Sequence, residues 1–153
     1  MSDLRRKDRG ISEIEAMAVL NAAEYGVLCT VDESGYPYAV PLNYCLIDRS
    51  IYFHCAVEGK KIENIQCSNV VSFCAVGNTR IIPDKLSTIY ESVIVSGKIN
   101  EVFDSEKQIA LEGILRKYSP AFIGKGIEYI KEHKKQTRVF RIHINQITGK
   151  ARR

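Results

Sequence analysis

Apolar and polar residues alternate over much of the chain with the period of two that is typical of β-strands. Runs of this kind cover residues 27–31, 36–47, 51–55, 70–76, 92–102 and 138–147. The first three runs are separated by Asp32-Glu-Ser-Gly35 and Asp48-Arg-Ser50, which are short enough to form hairpins. Because parallel neighbours would need long crossover connections, the pattern predicts six strands in antiparallel pairing.

Helical periodicity interrupts these runs at four places. Ser12 and Glu15 match the Ser-x-x-Glu capping box of a helix over about residues 12–24. A second helix opens after Gly59, and Pro120 separates a third, over about 104–118, from a fourth, over about 122–135. Strands broken by isolated helices, without repeats or a linker, predict a single domain over residues 1–153. We expect a mainly β fold, a small antiparallel barrel with helical covers.

Composition narrows the class of protein. The chain has 153 residues, 45% of them hydrophobic, which suffices for one core. No apolar run of about 18 residues could span a bilayer, and the N-terminus lacks the apolar segment of a signal peptide, so we expect a cytoplasmic protein with no membrane partner. Five cysteines without a Cys-x-x-Cys pair predict free thiols. No cysteine and histidine spacing resembles a zinc signature, so we predict no metal.

The net charge of +4 comes from 22 basic and 18 acidic residues. This excess is small, and its clusters near residues 5–9 and 131–138 are far apart in the chain. A basic barrel that binds nucleic acid is therefore the least favoured class, and we expect no nucleic-acid partner. A mild positive charge can still serve a small anionic ligand.

The segment Gly59-Lys60-Lys61 is the best candidate for such a ligand. A strand-like run breaks at the glycine, and two lysines follow at the first positions of the second helix. Backbone N–H groups at a helix start are unpaired and the helix dipole is positive there, so a phosphate is the natural occupant. Surface lysine pairs without any ligand are also common, and that alternative stays open.

Two further signals lie upstream of the lysines. Strand alternation places Tyr52 and His54 on one face of the run and Ile51, Phe53 and Cys55 on the other. Pro41 interrupts the longest run, and since proline cannot donate to a ladder, we expect an edge strand or a bulge there. An edge leaves backbone N–H and C=O groups free to pair with a planar heterocycle.

The stretches Gly35-Tyr-Pro-Tyr-Ala-Val-Pro-Leu-Asn-Tyr44 and Tyr52-Phe-His-Cys-Ala-Val-Glu-Gly-Lys-Lys61 are similar to a known flavin-binding signature. In residue type, spacing and order they resemble the nitroimidazole-resistance (Nim-like) branch of the pyridoxamine 5′-phosphate oxidase-like superfamily. The resemblance extends less specifically through residues 91–98 and 138–150. It implies a six-stranded antiparallel split β-barrel of Greek-key type. It also implies a homodimer that binds FMN, or occasionally FAD, at two equivalent clefts between the protomers.

The resemblance also implies which residues contact the cofactor. The flavin ring and ribityl chain would lie along Val40, Pro41, Leu42 and Asn43. The part near the phosphate would be flanked by His54 and Cys55, and the phosphate itself held by Lys60 and Lys61. On the fifth predicted strand, Ser92 matches a position that reaches the flavin in the family, sometimes from the partner subunit.

By the same resemblance, the protein is an oxidoreductase that passes electrons from a reduced donor to a small organic acceptor. Nitroimidazoles and other nitroaromatic compounds are the acceptor class that the branch suggests. His54 is the candidate proton donor beside the flavin, or else only a cofactor contact or a structural histidine. The alternative is a non-catalytic flavin-binding storage or sensor module. Tight flavin binding without turnover of any donor and acceptor pair would distinguish it.

Overall fold

One antiparallel sheet carries the fold in the computed structural model, which describes residues 3–153. Its strands are β1 (Gly10–Ile11), β2 (Gly26–Val31), β3 (Pro37–Leu42), β4 (Cys45–Ile47), β5 (Ser50–Cys55), β6 (Val70–Ile82), β7 (Ser87–Val102) and β8 (Arg138–Arg152). They follow the order β3-β2-β6-β7-β8-β5-β4, and β1 pairs with β8. The predicted mainly β, antiparallel fold with helical covers is confirmed, with eight strands in place of six.

The four predicted helices are present. They are α1 (Glu13–Ala22), α2 (Lys60–Cys67), α3 (Asp104–Tyr118) and α4 (Ile123–His133). The capping box forms as predicted, because the Glu15 N–H donates to Ser12 Oγ at 3.2 Å and the Ser12 N–H donates to Glu15 Oε2 at 3.0 Å. Within residues 3–153, none of the helices has the length and apolar character needed to cross a membrane.

The single strand predicted over residues 36–47 is wrong, because the chain bends between β3 and β4. Tyr44 turns into the core at this bend, where it is fully buried and its ring packs edge-on against Phe73 at 4.9 Å between centroids. Its hydroxyl donates to the Leu20 carbonyl, which fixes the turn. β3 then pairs with β2, whereas β4 pairs with β5.

This bend shapes the whole sheet. β3 and β4 are joined by only two residues, yet they stand at opposite ends of the strand order. The sheet must therefore wrap round until its two edges approach each other, without being closed by hydrogen bonds between them. The result is an open, split barrel, and the split is bordered by β3 on one side and by β4 and β5 on the other.

Two apolar cores lie on the two faces of this curved sheet. The larger fills its inside and includes the fully buried Phe53 and Phe73. The smaller lies between the opposite face of β5 and helices α3 and α4, and it includes Tyr52 and Ile130. Gly26 is required where β2 pairs with β6, since a Cβ there would lie 2.2 Å from the Phe73 ring.

Candidate functional site

The start of α2 combines an uncapped helix terminus with two lysine side chains. Gly59 precedes the helix with φ of 145°, a conformation that favours glycine, and a Cβ placed on it would meet nothing within 4 Å. Glycine has no side chain to cap the helix, and the Glu63 N–H is the first to bond back, to the Gly59 carbonyl. No side chain caps the N–H groups of the first turn, and Lys60 and Lys61 stand beside them.

The two lysines have different surroundings. Lys60 Nζ lies 3.7 Å from Asp32 Oδ2, in the turn between β2 and β3. A hydrogen bond from the Tyr36 N–H is the main reason that the pKa of Asp32 is lowered, and the charge of Lys60 adds to it. Lys61 Nζ instead lies 5.8 Å from the centre of the Phe53 ring, and no carboxylate of the described residues pairs with it within 4.0 Å. Lys61 is thus the less neutralised cation.

β3 lies at the edge of the sheet, as Pro41 predicted, and pairs only with β2. Pro41 stands opposite Val27 and is exposed, while Val40 and Leu42 turn inward and pack on the larger core. Asn43 follows at the bend, where its Nδ2 donates to the Glu24 carbonyl at 3.3 Å. The free side of β3 therefore offers backbone donors and acceptors along the split.

His54 and Cys55 lie at the end of β5 and point to opposite faces, as strand alternation predicted. Cys55 packs on the larger core, and burial raises the pKa of its thiol despite the nearby charge of Lys61. His54 faces α3 and α4 with its side chain partly exposed, and partial desolvation, followed by the charge of Lys61, lowers the pKa of its imidazole below 6.5. His54 is therefore mostly neutral at neutral pH, and Cys55 is not an activated nucleophile.

Ser92 is not brought to this site within one chain. It lies on β7, opposite Val76 on β6 and Lys150 on β8, and its face of the sheet points away from both cores. Two strands, β2 and β6, separate β7 from the edge strand β3. The other predicted contacts, Val40, Pro41, Leu42, Asn43, His54, Cys55, Lys60 and Lys61, border the split or the α2 start next to it.

Sequence reasoning missed two features of the site. Asp32, the partner of Lys60, lies in a segment whose sequence predicts only a turn. Lys117, at the end of α3, has a buried Nζ with no hydrogen-bond partner, 3.9 Å from the centre of the Tyr44 ring. Burial lowers the pKa of Lys117. Nothing in its local sequence distinguishes it from an exposed lysine that ends a helix.

Two linked hydrogen bonds of Tyr118 hold the bend of the split. Its hydroxyl accepts the Tyr44 N–H at 3.1 Å and donates to the Glu24 carbonyl at 2.5 Å. The end of α3 is thereby tied to the bend that carries Asn43. Among residues 3–153, no three His, Cys, Asp or Glu side chains gather in a way that could hold a metal ion.

A family model described as pyridoxamine 5′-phosphate oxidase matches residues 12–151. None of the curated proteins matches the chain. Many solved structures do, and the likeness extends over nearly all of it.

Three solved structures illustrate the range of this likeness. A candidate 5-nitroimidazole antibiotic resistance protein from Bacteroides thetaiotaomicron is 25% identical with a TM-score of 0.73, covering 92% of this chain and 85% of that one. An FAD-binding protein from Mesorhizobium loti is 26% identical with a TM-score of 0.69, covering 95% and 98%. A conserved hypothetical protein from Mycobacterium tuberculosis is 18% identical with a TM-score of 0.82, covering 97% and 90%, which shows a shared fold.

Proposed function

The chain belongs to the pyridoxamine 5′-phosphate oxidase family, and from that premise we propose that it is a flavin-dependent oxidoreductase. The observation that carries the proposal is the uncapped start of α2 with Lys60 and Lys61, next to the free edge of β3. A binding site for a phosphorylated planar heterocycle needs both parts. The similar protein from M. loti is described as binding FAD, which supports a flavin as that heterocycle.

The cofactor we propose is FMN, with FAD as the alternative. Lys60, Lys61 and the free N–H groups of the first turn of α2 would hold the phosphate, which carries nearly two negative charges at neutral pH. His54 and Cys55, at the end of β5, would flank this end. Lysine binds phosphate as a point charge without the two-pronged geometry of arginine, so the position of the cofactor depends on the rest of the site.

The ring and ribityl chain would run along Val40, Pro41, Leu42 and Asn43. β3 is unpaired on this side, so its backbone can bond to the polar edge of the ring. The inward packing of Val40 and Leu42 would hold this strand in place before the ligand arrives, which lowers the entropic cost of binding. Bound flavin supplies the electron-transfer chemistry, while the chain sets its orientation and its exposure to solvent.

His54 is the residue we assign to proton transfer. Its imidazole is mostly neutral at neutral pH because desolvation and the charge of Lys61 lower its pKa, so it can accept a proton and, as a more acidic imidazolium, release it readily. The electron donor we propose is a reduced small molecule such as a nicotinamide cofactor. For the acceptor we propose nitroimidazoles or other nitroaromatic compounds, which fits the similarity to the B. thetaiotaomicron protein.

We further propose that the protein is a homodimer that pairs through the outer face of the sheet. Five strands contribute one uncharged residue each to a row across this face. The row consists of Pro41, Val27, Cys74, Ile94 and Thr148.

The neighbouring row consists of Ala39, Cys29, Ser72, Ser96 and Gln146, also without charge. A wide uncharged face of this kind is typical of an interface between copies. Ser92 lies on the same face, so a second copy would carry it toward the flavin of its partner. We place this dimer in the cytoplasm, with small-molecule partners and neither nucleic acid nor membrane.

Absorption spectra of the purified protein, with and without added FMN, test the flavin site. We expect bound-flavin bands that weaken strongly in Lys60→Ala/Lys61→Ala and persist in Lys85→Ala, an exposed lysine at the β6–β7 turn. If added FMN does not bind at all, the proposal is wrong. Tight binding without turnover of any donor and acceptor pair would favour the storage or sensor module instead.

Sedimentation tests the dimer separately. Ile94, which is 46% exposed, lies in the middle of the uncharged face, so Ile94→Lys would place two charges in a symmetric interface. We expect this variant to be monomeric and to bind FMN more weakly. A dimer that survives the substitution would contradict the assignment of this face.

A further inference from the structure

Beside the proposed flavin site, a cavity of about 690 Å³ opens between the end of β5 and helices α3 and α4. Its size lies within the range of small-molecule sites. Aliphatic side chains of both helices and the rings of Tyr118, Phe122 and Tyr129 form most of its wall, and His54 forms the wall on the β5 side. The phosphate-binding lysines on α2 are not part of this lining.

The aromatic part of the wall offers flat surfaces. The rings of Tyr129 and His133 stack 4.0 Å apart with 20° between their planes, and His133 Nδ1 lies 2.9 Å from the Tyr129 carbonyl oxygen. Both rings line the cavity, and Phe122 adds a third aromatic surface that is 63% exposed. Planar faces held in this way favour an aromatic guest over a flexible chain, since stacking costs little conformational entropy.

The charges of the lining have one sign. Lys125 and Lys134 both contribute to it, and no aspartate or glutamate does. Neither lysine has a carboxylate partner within 4.0 Å among the ion pairs of residues 3–153. An apolar cavity with two uncompensated cations is complementary to an apolar anion.

We propose that this cavity binds a small planar aromatic carboxylate beside the flavin position. The flavin position rests on the proposed function, whereas the binding does not. The ring would lie against Tyr118, Phe122 and Tyr129, and the carboxylate would face Lys125 and Lys134.

Two residues connect the cavity with the flavin site. His54 lines the cavity and precedes Cys55, and the charge of Lys61 contributes to lowering the pKa of its imidazole. Tyr118 lines the cavity at the other end, and its hydroxyl holds the Tyr44 N–H at the bend that carries Asn43. The cavity therefore adjoins two of the segments that would hold the flavin, the end of β5 and the bend after β3.

The test is a calorimetric titration of the purified, FMN-saturated protein with three probes. They are 2-naphthoate, its neutral analogue 2-naphthamide and the flexible anion decanoate. We expect 2-naphthoate to bind about tenfold more tightly than either of the others, because only it satisfies both the charge and the flat surfaces. In Lys125→Gln/Lys134→Gln, its advantage over 2-naphthamide should disappear. Phe122→Ala should weaken both naphthyl probes.

A matched control removes two other lysine charges that lie nearby. Lys131 and Lys135 are exposed and do not line the cavity, but they line a neighbouring hollow that shares Lys134 with it. Lys131→Gln/Lys135→Gln should therefore keep the preference for 2-naphthoate. The inference is overturned if this control loses the preference equally, if all three probes bind alike, or if 2-naphthoate does not bind up to about 1 mM.

The absorption bands of FMN separate this inference from the proposed function. We expect both double variants to keep bound flavin, which places the loss of probe binding in the cavity. Loss of FMN only in Lys125→Gln/Lys134→Gln would overturn the inference, because the cavity would then hold the flavin itself. If FMN does not bind the parent protein, the flavin proposal fails, while the same titrations without FMN still decide whether the cavity takes an aromatic carboxylate.

Discussion

Lys60 and Lys61 should contribute unequally to flavin binding, although they are neighbours at the same helix start. Asp32 already neutralises part of the charge of Lys60 at a distance of 3.7 Å, whereas Lys61 has only the Phe53 ring beside it. We therefore expect Lys61→Ala to weaken FMN binding more than Lys60→Ala. Asp32→Asn should strengthen it, because Lys60 is then free to face the phosphate.

The expected sizes follow from the partners of each charge. A hydrogen bond to a charged group contributes about 1.5–3 kcal/mol, so Lys61→Ala should raise the Kd for FMN by about 10- to 150-fold. Lys60 must first give up an exposed ion pair, so Lys60→Ala should raise the Kd by a factor roughly 1.5- to 5-fold smaller than Lys61→Ala does. Release from the same pair should make Asp32→Asn bind FMN more tightly by a similar factor.

Quenching of flavin fluorescence on titration measures these affinities at low and high salt. Asparagine keeps the Oδ1 atom that accepts the Ser34 and Tyr36 N–H groups at 2.9 Å each, so the turn should survive in Asp32→Asn. Glu33→Gln removes a neighbouring exposed carboxylate and serves as the control for net charge. A larger loss with Lys60→Ala than with Lys61→Ala, or weaker binding by Asp32→Asn, would refute the reasoning.

Three further predictions concern single side chains. Tyr118→Phe leaves the Tyr44 N–H without its partner and should lower the free energy of unfolding by about 1–3 kcal/mol in urea titrations, and an unchanged midpoint would contradict it. His54 has a folded-state pKa below the unfolded 6.5, so protonation favours unfolding and stability falls as the pH drops through that range. Urea titrations at about pH 7.5 and 5.5 should show a smaller fall for His54→Gln than for the parent, and equal falls would exclude this role. Alkylation followed by mass spectrometry should modify the exposed Cys67 first and spare Cys45, whose pKa burial raises to about 11, and early labelling of Cys45 would speak against its burial.

Local signals allowed most of the elements to be predicted from the sequence. The Ser12 and Glu15 pair specifies a helix start through atoms three residues apart, so it can be identified without any tertiary contact. The bend at Tyr44 has no such signal, because alternation continues through it. What bends the chain there is burial of Tyr44 against Phe73, a residue that the sequence alone does not place nearby.

The same distinction applies to the candidate site. Gly59, Lys60 and Lys61 form a continuous segment, so their place at a helix start could be predicted. The pairing of Lys60 with Asp32 and the cavity beside His54 join segments from distant parts of the chain. Only the curvature of the sheet brings those segments together, and periodicity does not encode curvature.

The position of β8 has a consequence for how the molecule is made. β8 is the last strand in chain order, but it lies inside the sheet, between β7 and β5, and it also pairs with β1. Until β8 emerges from the ribosome, β2, β3, β6 and β7 can form one partial sheet and β4 and β5 another, with no strand hydrogen-bonded between the two. The sheet can therefore be completed only after residue 152 has been synthesised. Until then the edges of both partial sheets expose unpaired backbone N–H and C=O groups, which chaperones can bind.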